Sequence, residues 1–201
     1  MANPDTPFGF KPWKHVSGGT PGRTNEYPIG TAYGTSIFKG DVVALDGSGN
    51  VIIGTAGAQA VGVFAGVKYV ASDGSVVYKN SWTASTAEKS GTIIKALVYD
   101  DPNTVFLAQS NGSMTAADVG QFCDIDTSAS GDVSSGWSRQ QTSATGGSET
   151  QFKILDVISA RHQMPCRNAA GNQDFYTTGT NALVAVKLVQ HTNASIATTE
   201  V

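Results

Sequence analysis

GDVVALDGSGNVIIGTAGAQAVGVFAGVKYVASDGSVVYKNSWTASTAEKSGTIIKALVYDDPNTV, residues 40–105, decides the fold. Short runs of Val, Ile, Phe and Tyr alternate with turns of Gly, Asp, Ser and Asn, which is the pattern of a β-meander. The reading predicts strands over 41–45, 51–53, 61–70, 76–82 and 92–100. Asp46-Gly47-Ser48-Gly49-Asn50 joins the first two through residues that tolerate positive φ. Ser72-Asp73-Gly74-Ser75 closes a hairpin, because Asp-Gly between apolar runs is a strong short-range turn signal. Asp101-Pro102-Asn103 ends the segment as a turn with Pro at its second position. In the long 61–70 run, alternation places Val63, Ala65, Val67 and Tyr69 on one face and Gly62, Phe64, Gly66 and Lys68 on the other. Two glycines on one face point to a bulge or to close approach of another backbone.

Downstream the same grammar continues. Strands are expected over 105–109, 121–126, 151–159 and 183–191. Residues 115–120 read as one helical turn, with Thr115 as N-cap, Asp118 at the third helical position and Gly120 as the stop. Residues 127–150 are almost all Ser, Thr, Gly and Ala around a lone Trp137 and read as a flexible loop or a surface β-excursion. Residues 161–180 form a polar loop, and 192–201 a loose tail. About nine strands with at most two short helices define an all-β protein, a barrel or a sandwich.

Residues 1–38 differ from the body at 39–191. They hold Pro4, Pro7, Pro12, Pro21 and Pro28, five of the seven prolines, so a continuous helix or a central strand is excluded. They also hold Phe8, Phe10, Trp13, Tyr27, Tyr33 and Phe38, more aromatics than a disordered tail carries. The segment reads as an extended arm whose rings dock, either on the chain's own body or on a neighbouring subunit.

Charged residues make up 14% of the chain, well under the roughly 25% of an average domain. Neutral polar surface of this kind suits a protein pressed against other subunits, since interface cores are depleted of charge. The net charge of −3 with no basic stripe argues against nucleic acid as a partner. No apolar run reaches the roughly 18 residues of a membrane span, and the N-terminus lacks the basic-then-apolar pattern of a secretory signal. Synthesis in a cytoplasm is expected, where Cys123 and Cys166 stay free and packed rather than paired.

Candidate chemistry is sparse. The three histidines, His15, His162 and His191, form no HExxH pattern, and the cysteines form no CxxC pattern. His162 and Cys166 have helical ligand spacing, but Pro165 opposes a helix and no second pair completes a tetrahedral site. Residues 17–24 superficially resemble a phosphate loop without its Gly-Lys-Ser/Thr ending. Asp124, Asp126, Ser128, Ser130 and Asp132 alternate like the start of a calcium loop, yet Ala129 replaces its Gly and Ser135 its bidentate Glu. Asp100-Asp101 reads as a turn, since adjacent strand residues point to opposite faces. Trp13, Trp82 and Trp137 have the chemistry to stack on sugars, though isolated tryptophans in β proteins are more often core or interface. No cofactor or metal is expected, and no catalytic constellation emerges.

Several stretches in order carry a family resemblance: PFGFKPWKHVSGGTPGRTNEYPI (7–29), GDVVALDGSGNV (40–51), VGVFAGVKYVASDGSVVYKNSW (61–82) and YDDPNTVF (99–106). ADVGQFCDID (117–126) and LVAVKLVQH (183–191) extend it more weakly. Together they resemble the head decoration, or cement, proteins of tailed bacteriophages and related phage structural proteins. The resemblance implies a non-enzymatic virion component made in the host bacterial cytoplasm and carried on the capsid exterior. Its implied partners are the major capsid protein and further copies of itself, a trimer being favoured. Phe8, Phe10, Trp13 and Tyr27 of the arm are the expected partner contacts. A tail or head–tail protein and a carbohydrate-binding β module are the alternative readings.

Overall fold

The computed structural model describes residues 3–129, 131–145, 149–161, 164–167 and 173–194. In chain order its strands begin with β1 (Lys11–His15), β2 (Asn25–Ile29), β3 (Ile37–Phe38), β4 (Val42–Leu45) and β5 (Val51–Ile53). There follow β6 (Gly62–Val70), β7 (Val76–Lys79), β8 (Ser81–Trp82), β9 (Ile94–Tyr99) and β10 (Thr104–Gln109). The remainder are β11 (Phe122–Cys123), β12 (Ile125–Asp126), β13 (Gln141–Thr142), β14 (Phe152–Val157), β15 (Pro165–Arg167), β16 (Gln173–Phe175) and β17 (Leu183–Leu188). Helix is limited, among the described residues, to a 3-10 turn at Ala116–Asp118 and the short α1 (Ile158–Arg161). The all-β expectation holds.

Two antiparallel sheets organise the molecule. One runs β1-β10-β17-β14-β11; the other runs β2-β9-β6-β4-β5 with β7 added beside β6. Neither closes: each path ends on edge strands, so the arrangement is sandwich-like and the barrel form is not realised. Alternation builds the core. Along β10, Phe106 and Ala108 face an inner cluster with Val184, Val186, Phe152 and Ile154 of the same sheet and Val42 and Val63 of the other. Val105 and Leu107 face the opposite way, where Ile158, Leu155, Phe8 and Trp13 cover the sheet. The second sheet wraps a further cluster of Ile29, Ile37, Val43, Phe64, Val67, Trp82 and Ala96.

The β6 bulge alters the simple alternation. Register against β9 shifts between Phe64 and Gly66, so Phe64 joins Val67 and Tyr69 in one cluster while Val63 faces the other sheet. The two glycines mark close backbone approach. A Cβ on Gly62 would lie 2.1 Å from the Tyr99 carbonyl oxygen, and one on Gly66 2.9 Å from that of Lys79.

Residues 3–38 do not stand off from the body. β1 pairs antiparallel with β10 and β2 with β9, so the segment supplies an edge strand to each sheet. Edge positions tolerate Pro12 and Pro28, and a bulge lies between Pro12 and Lys14. Of the two docking surfaces open to the arm's aromatics, the chain's own body receives Phe10, which stacks on Phe152 at 5.0 Å between ring centroids. Asn3 donates to the Thr177 and Thr180 carbonyls, and buried Gln109 donates to the Pro4 carbonyl at 2.8 Å.

Several turns follow the expectation. Thr115 and Asp118 form a reciprocal capping box. Asp46 accepts the Ser48 and Asn50 amides, and Asp73 accepts the Ser75 amide. Other elements differ. The strand expected over 121–126 splits into β11 and β12, and the one over 151–159 ends in α1. The polar loop at 161–180 carries the β15–β16 hairpin. The stretch at 127–150 lies partly at the surface and partly inside where it is described: Val133 and Trp137 are exposed, while Ser138, Gln140, Gln141 and Thr142 are buried. Gln140 accepts the Val42 amide at 2.8 Å, which fastens this stretch to β4. Most of the 192–201 tail lies outside the described residues.

Candidate interaction surface

The most exposed apolar side chains on the second sheet gather around β7. This strand pairs with β6 alone among the described residues, which leaves its other edge unpaired. Val76 is 59% exposed, Tyr78 64% and Ile93 66%, too much for core residues. Alternation explains the first two: Val77 and Tyr69 turn inward to the Trp82 cluster, so Val76 and Tyr78 turn out. Register places Tyr78 opposite Lys68, and Lys68 opposite Lys95. The Lys68 ammonium lies 5.3 Å from the Tyr78 ring centroid. The Tyr78 hydroxyl beside it holds the lysine's pKa above its ordinary value. Lys95 ends the row in an ion pair with Glu26 at 2.6 Å, and that hydrogen bond holds the Glu26 carboxyl below its usual range. A groove of about 350 Å³ runs through the patch, lined by Val70, Val76, Ile93, Lys68 and Lys95.

The four aromatic residues expected to contact partners lie apart from this patch. Phe10 is 1% exposed and belongs to the core. Phe8 and Trp13 are half-buried on the outer face of the first sheet. Tyr27 packs against the second cluster, and its hydroxyl donates to Asp100 at 2.6 Å. Trp82 is fully buried and donates from its indole to the Tyr33 carbonyl, so it offers no ring to a sugar. Trp137 is 38% exposed. The β7 patch escaped the sequence reading because Val76–Trp82 looked like one strand with ordinary alternation. Only the pairing shows which edge stays open.

One constellation arises that spacing alone does not reveal. The Ser17 hydroxyl lies 2.6 Å from His15 Nδ1, and His15 Nε2 lies 3.1 Å from Asp101. The connectivity is that of a nucleophile, base and orienting acid. The surroundings fit a turn instead. The amides of residues 15–18 donate to the Gly19 carbonyl, the Asn103 carbonyl, His15 Nδ1 and the His15 carbonyl, so the turn aims none of them at a developing oxyanion. Ser17 itself lies on exposed surface. The trio therefore latches the turn after β1 onto the β9–β10 turn.

The remaining candidates resolve into structural roles. Asp124 accepts the Thr150 and Gln151 amides across to the start of β14, Asp126 accepts the Ser128 amide and the Asn111 side chain, and Asp132 accepts the Ser134 amide, so each carboxylate is engaged by protein donors. Ser130 and His162 lie outside the described residues. Among the described residues no group of three His, Cys, Asp or Glu side chains is placed to hold a metal ion. Asp100 accepts Asn25 and Tyr27 while Asp101 faces His15, consistent with a turn. Cys123 and Cys166 are free of disulfides, and burial pushes the Cys123 thiol up to about 12, which keeps it protonated. Among the described residues no helix is long and apolar enough to cross a membrane. No family model, no curated protein and no solved structure matches the chain.

Proposed function

We propose that this chain is a non-enzymatic structural protein of a tailed-phage head, which binds the outer capsid lattice and fastens adjacent capsomers. The observation that carries the reading is the β7 patch, an unpaired strand edge beside exposed Val76, Tyr78 and Ile93. An open edge offers main-chain hydrogen bonds to an incoming strand, and the apolar side chains beside it give that strand something to bury. Lys68 and Lys79 flank the patch while Lys95 is already paired with Glu26, so the occupant that complements it is an acidic-rimmed strand or loop of the major capsid protein. Repetition over a lattice turns modest single contacts into firm attachment, more so if the chain assembles as a trimer. The low charge content and the sequence resemblance support the same reading.

The test is co-sedimentation with expanded capsids that lack this chain. The double variant Val76→Lys/Tyr78→Glu changes only exposed side chains, so its thermal midpoint should stay at the wild-type value. Its capsid binding should fall at least about tenfold, because a charge on the strand edge repels an incoming strand. Unchanged binding by the folded variant removes β7 from the contact.

A further inference from the structure

A second cleft, separate from the β7 patch, centres on Trp137. The backbone there is held firmly. The Lys39 amide donates to the Gly136 carbonyl, the Ser138 amide returns to the Lys39 carbonyl, and the Asp132 amide donates to the Trp137 carbonyl, each at 2.9–3.0 Å. Ser138 on one side is 1% exposed and Gly136 on the other is buried, yet the indole between them is 38% exposed. A large ring projected from an anchored segment is preorganised for contact. Its surroundings are cationic. The Lys39 ammonium lies 5.1 Å from the indole centroid and the Lys11 ammonium 5.4 Å, and Lys11 also lies 4.6 Å from the Phe8 ring.

The indole separates two cavities. One, of about 310 Å³, is polar and cationic, with Lys11, Arg139, Ser135 and Asp132 in its wall. The other, of about 220 Å³, is walled by Phe10, Pro12, Phe64 and Tyr99, with Lys39 at its side. Lys11 and Trp137 line both. Three cations meet one carboxylate here, in a chain whose net charge is −3.

We infer that this cleft binds an acidic peptide segment of a partner protein, one in which Asp or Glu neighbours a Leu- or Phe-like side chain. The apolar residue fills the chamber beside Pro12 and Tyr99, and the carboxylates meet Lys11, Lys39 and Arg139. Trp and Arg are the residues that most often dominate such contacts. A nucleic-acid strand fits less well, because backbone tracking needs cations in a line, and these three are confined to one cleft. Gly136 packs against Asn80 and Ser81 just past β7, but no residue lining this cleft lines the groove beside Val76, so the inference does not depend on the lattice reading.

The probe is a dye-labelled peptide, SELDFES, titrated into the full chain and followed by fluorescence anisotropy. Binding is expected, weakening as salt rises. Trp137→Ala and the double variant Lys11→Glu/Lys39→Glu should each weaken it more than tenfold. Lys89→Glu, an exposed lysine that lines neither cavity, should leave it unchanged. Both changes at the cleft are on the surface, and the charge variant carries the test if Trp137→Ala unfolds. The inference is overturned if SELDFES does not bind, if the charge variant binds it equally, or if a thymidine oligonucleotide binds as tightly.

Discussion

Asp41 is the ionised group most at odds with its surroundings. It is 3% exposed and accepts the Phe38 amide at 2.7 Å. Burial outweighs that bond and pushes its pKa up to about 6 from an unfolded value of 3.8. Between those values the folded chain holds a proton that the unfolded chain releases. The stability Asp41 contributes is therefore full below pH 3.8 and lost as pH rises through 6, a change on the order of 2–3 kcal/mol. His191 acts in the opposite sense: burial lowers its pKa, so it costs stability as pH falls below 6.5. Comparing wild type with Asp41→Asn cancels the histidine. Urea unfolding from pH 4 to 7 should show the wild type losing stability relative to the variant as pH rises. Parallel curves would remove Asp41 as the source. Such a residue is invisible in sequence, where Asp41 reads as the polar start of a strand. The neighbouring glycines were legible, because two on one face of 61–70 already implied the close approach seen at Gly62 and Gly66.

At the scale of elements, β1 and β2 carry the clearest lesson. Five prolines made residues 1–38 look like an arm, and proline does keep them from central positions. It does not keep them from edges, and the segment completes both sheets. Removal of residues 1–24 should thus strip β1 from β10 and Phe10 from its stack on Phe152. Phe10→Ala alone should cost about 3–5 kcal/mol, as for other buried aromatics. The truncated chain should lose cooperative thermal unfolding. A truncated chain that unfolds at the wild-type midpoint would show that the body is self-sufficient. The 127–150 stretch taught the converse. Its composition matches a solvated loop, yet Gln140 and Gln141 are buried, where Gln140 accepts the Val42 amide and Gln141 donates to the Gln109 side chain. Composition reports polarity; it does not report whether that polarity is spent on water or on the neighbouring strand.

For the whole molecule, turn chemistry and alternation were enough to specify an all-β chain and most strand positions. They left open whether the sheets close, because closure depends on which edges meet, and that is long-range. The same limit hid the β7 patch and the Trp137 cleft, both assembled from residues distant in sequence. The two proposed contact surfaces and the low charge content underlie the proposal that this molecule is held between neighbours. The most direct test of the proposed role is electron cryomicroscopy of purified tailed-phage particles whose genome encodes this chain, locating it. The account predicts many copies repeating with the outer head lattice, with β7 against the major capsid protein. Absence from the particles, or a few copies confined to the tail or a single vertex, would contradict it.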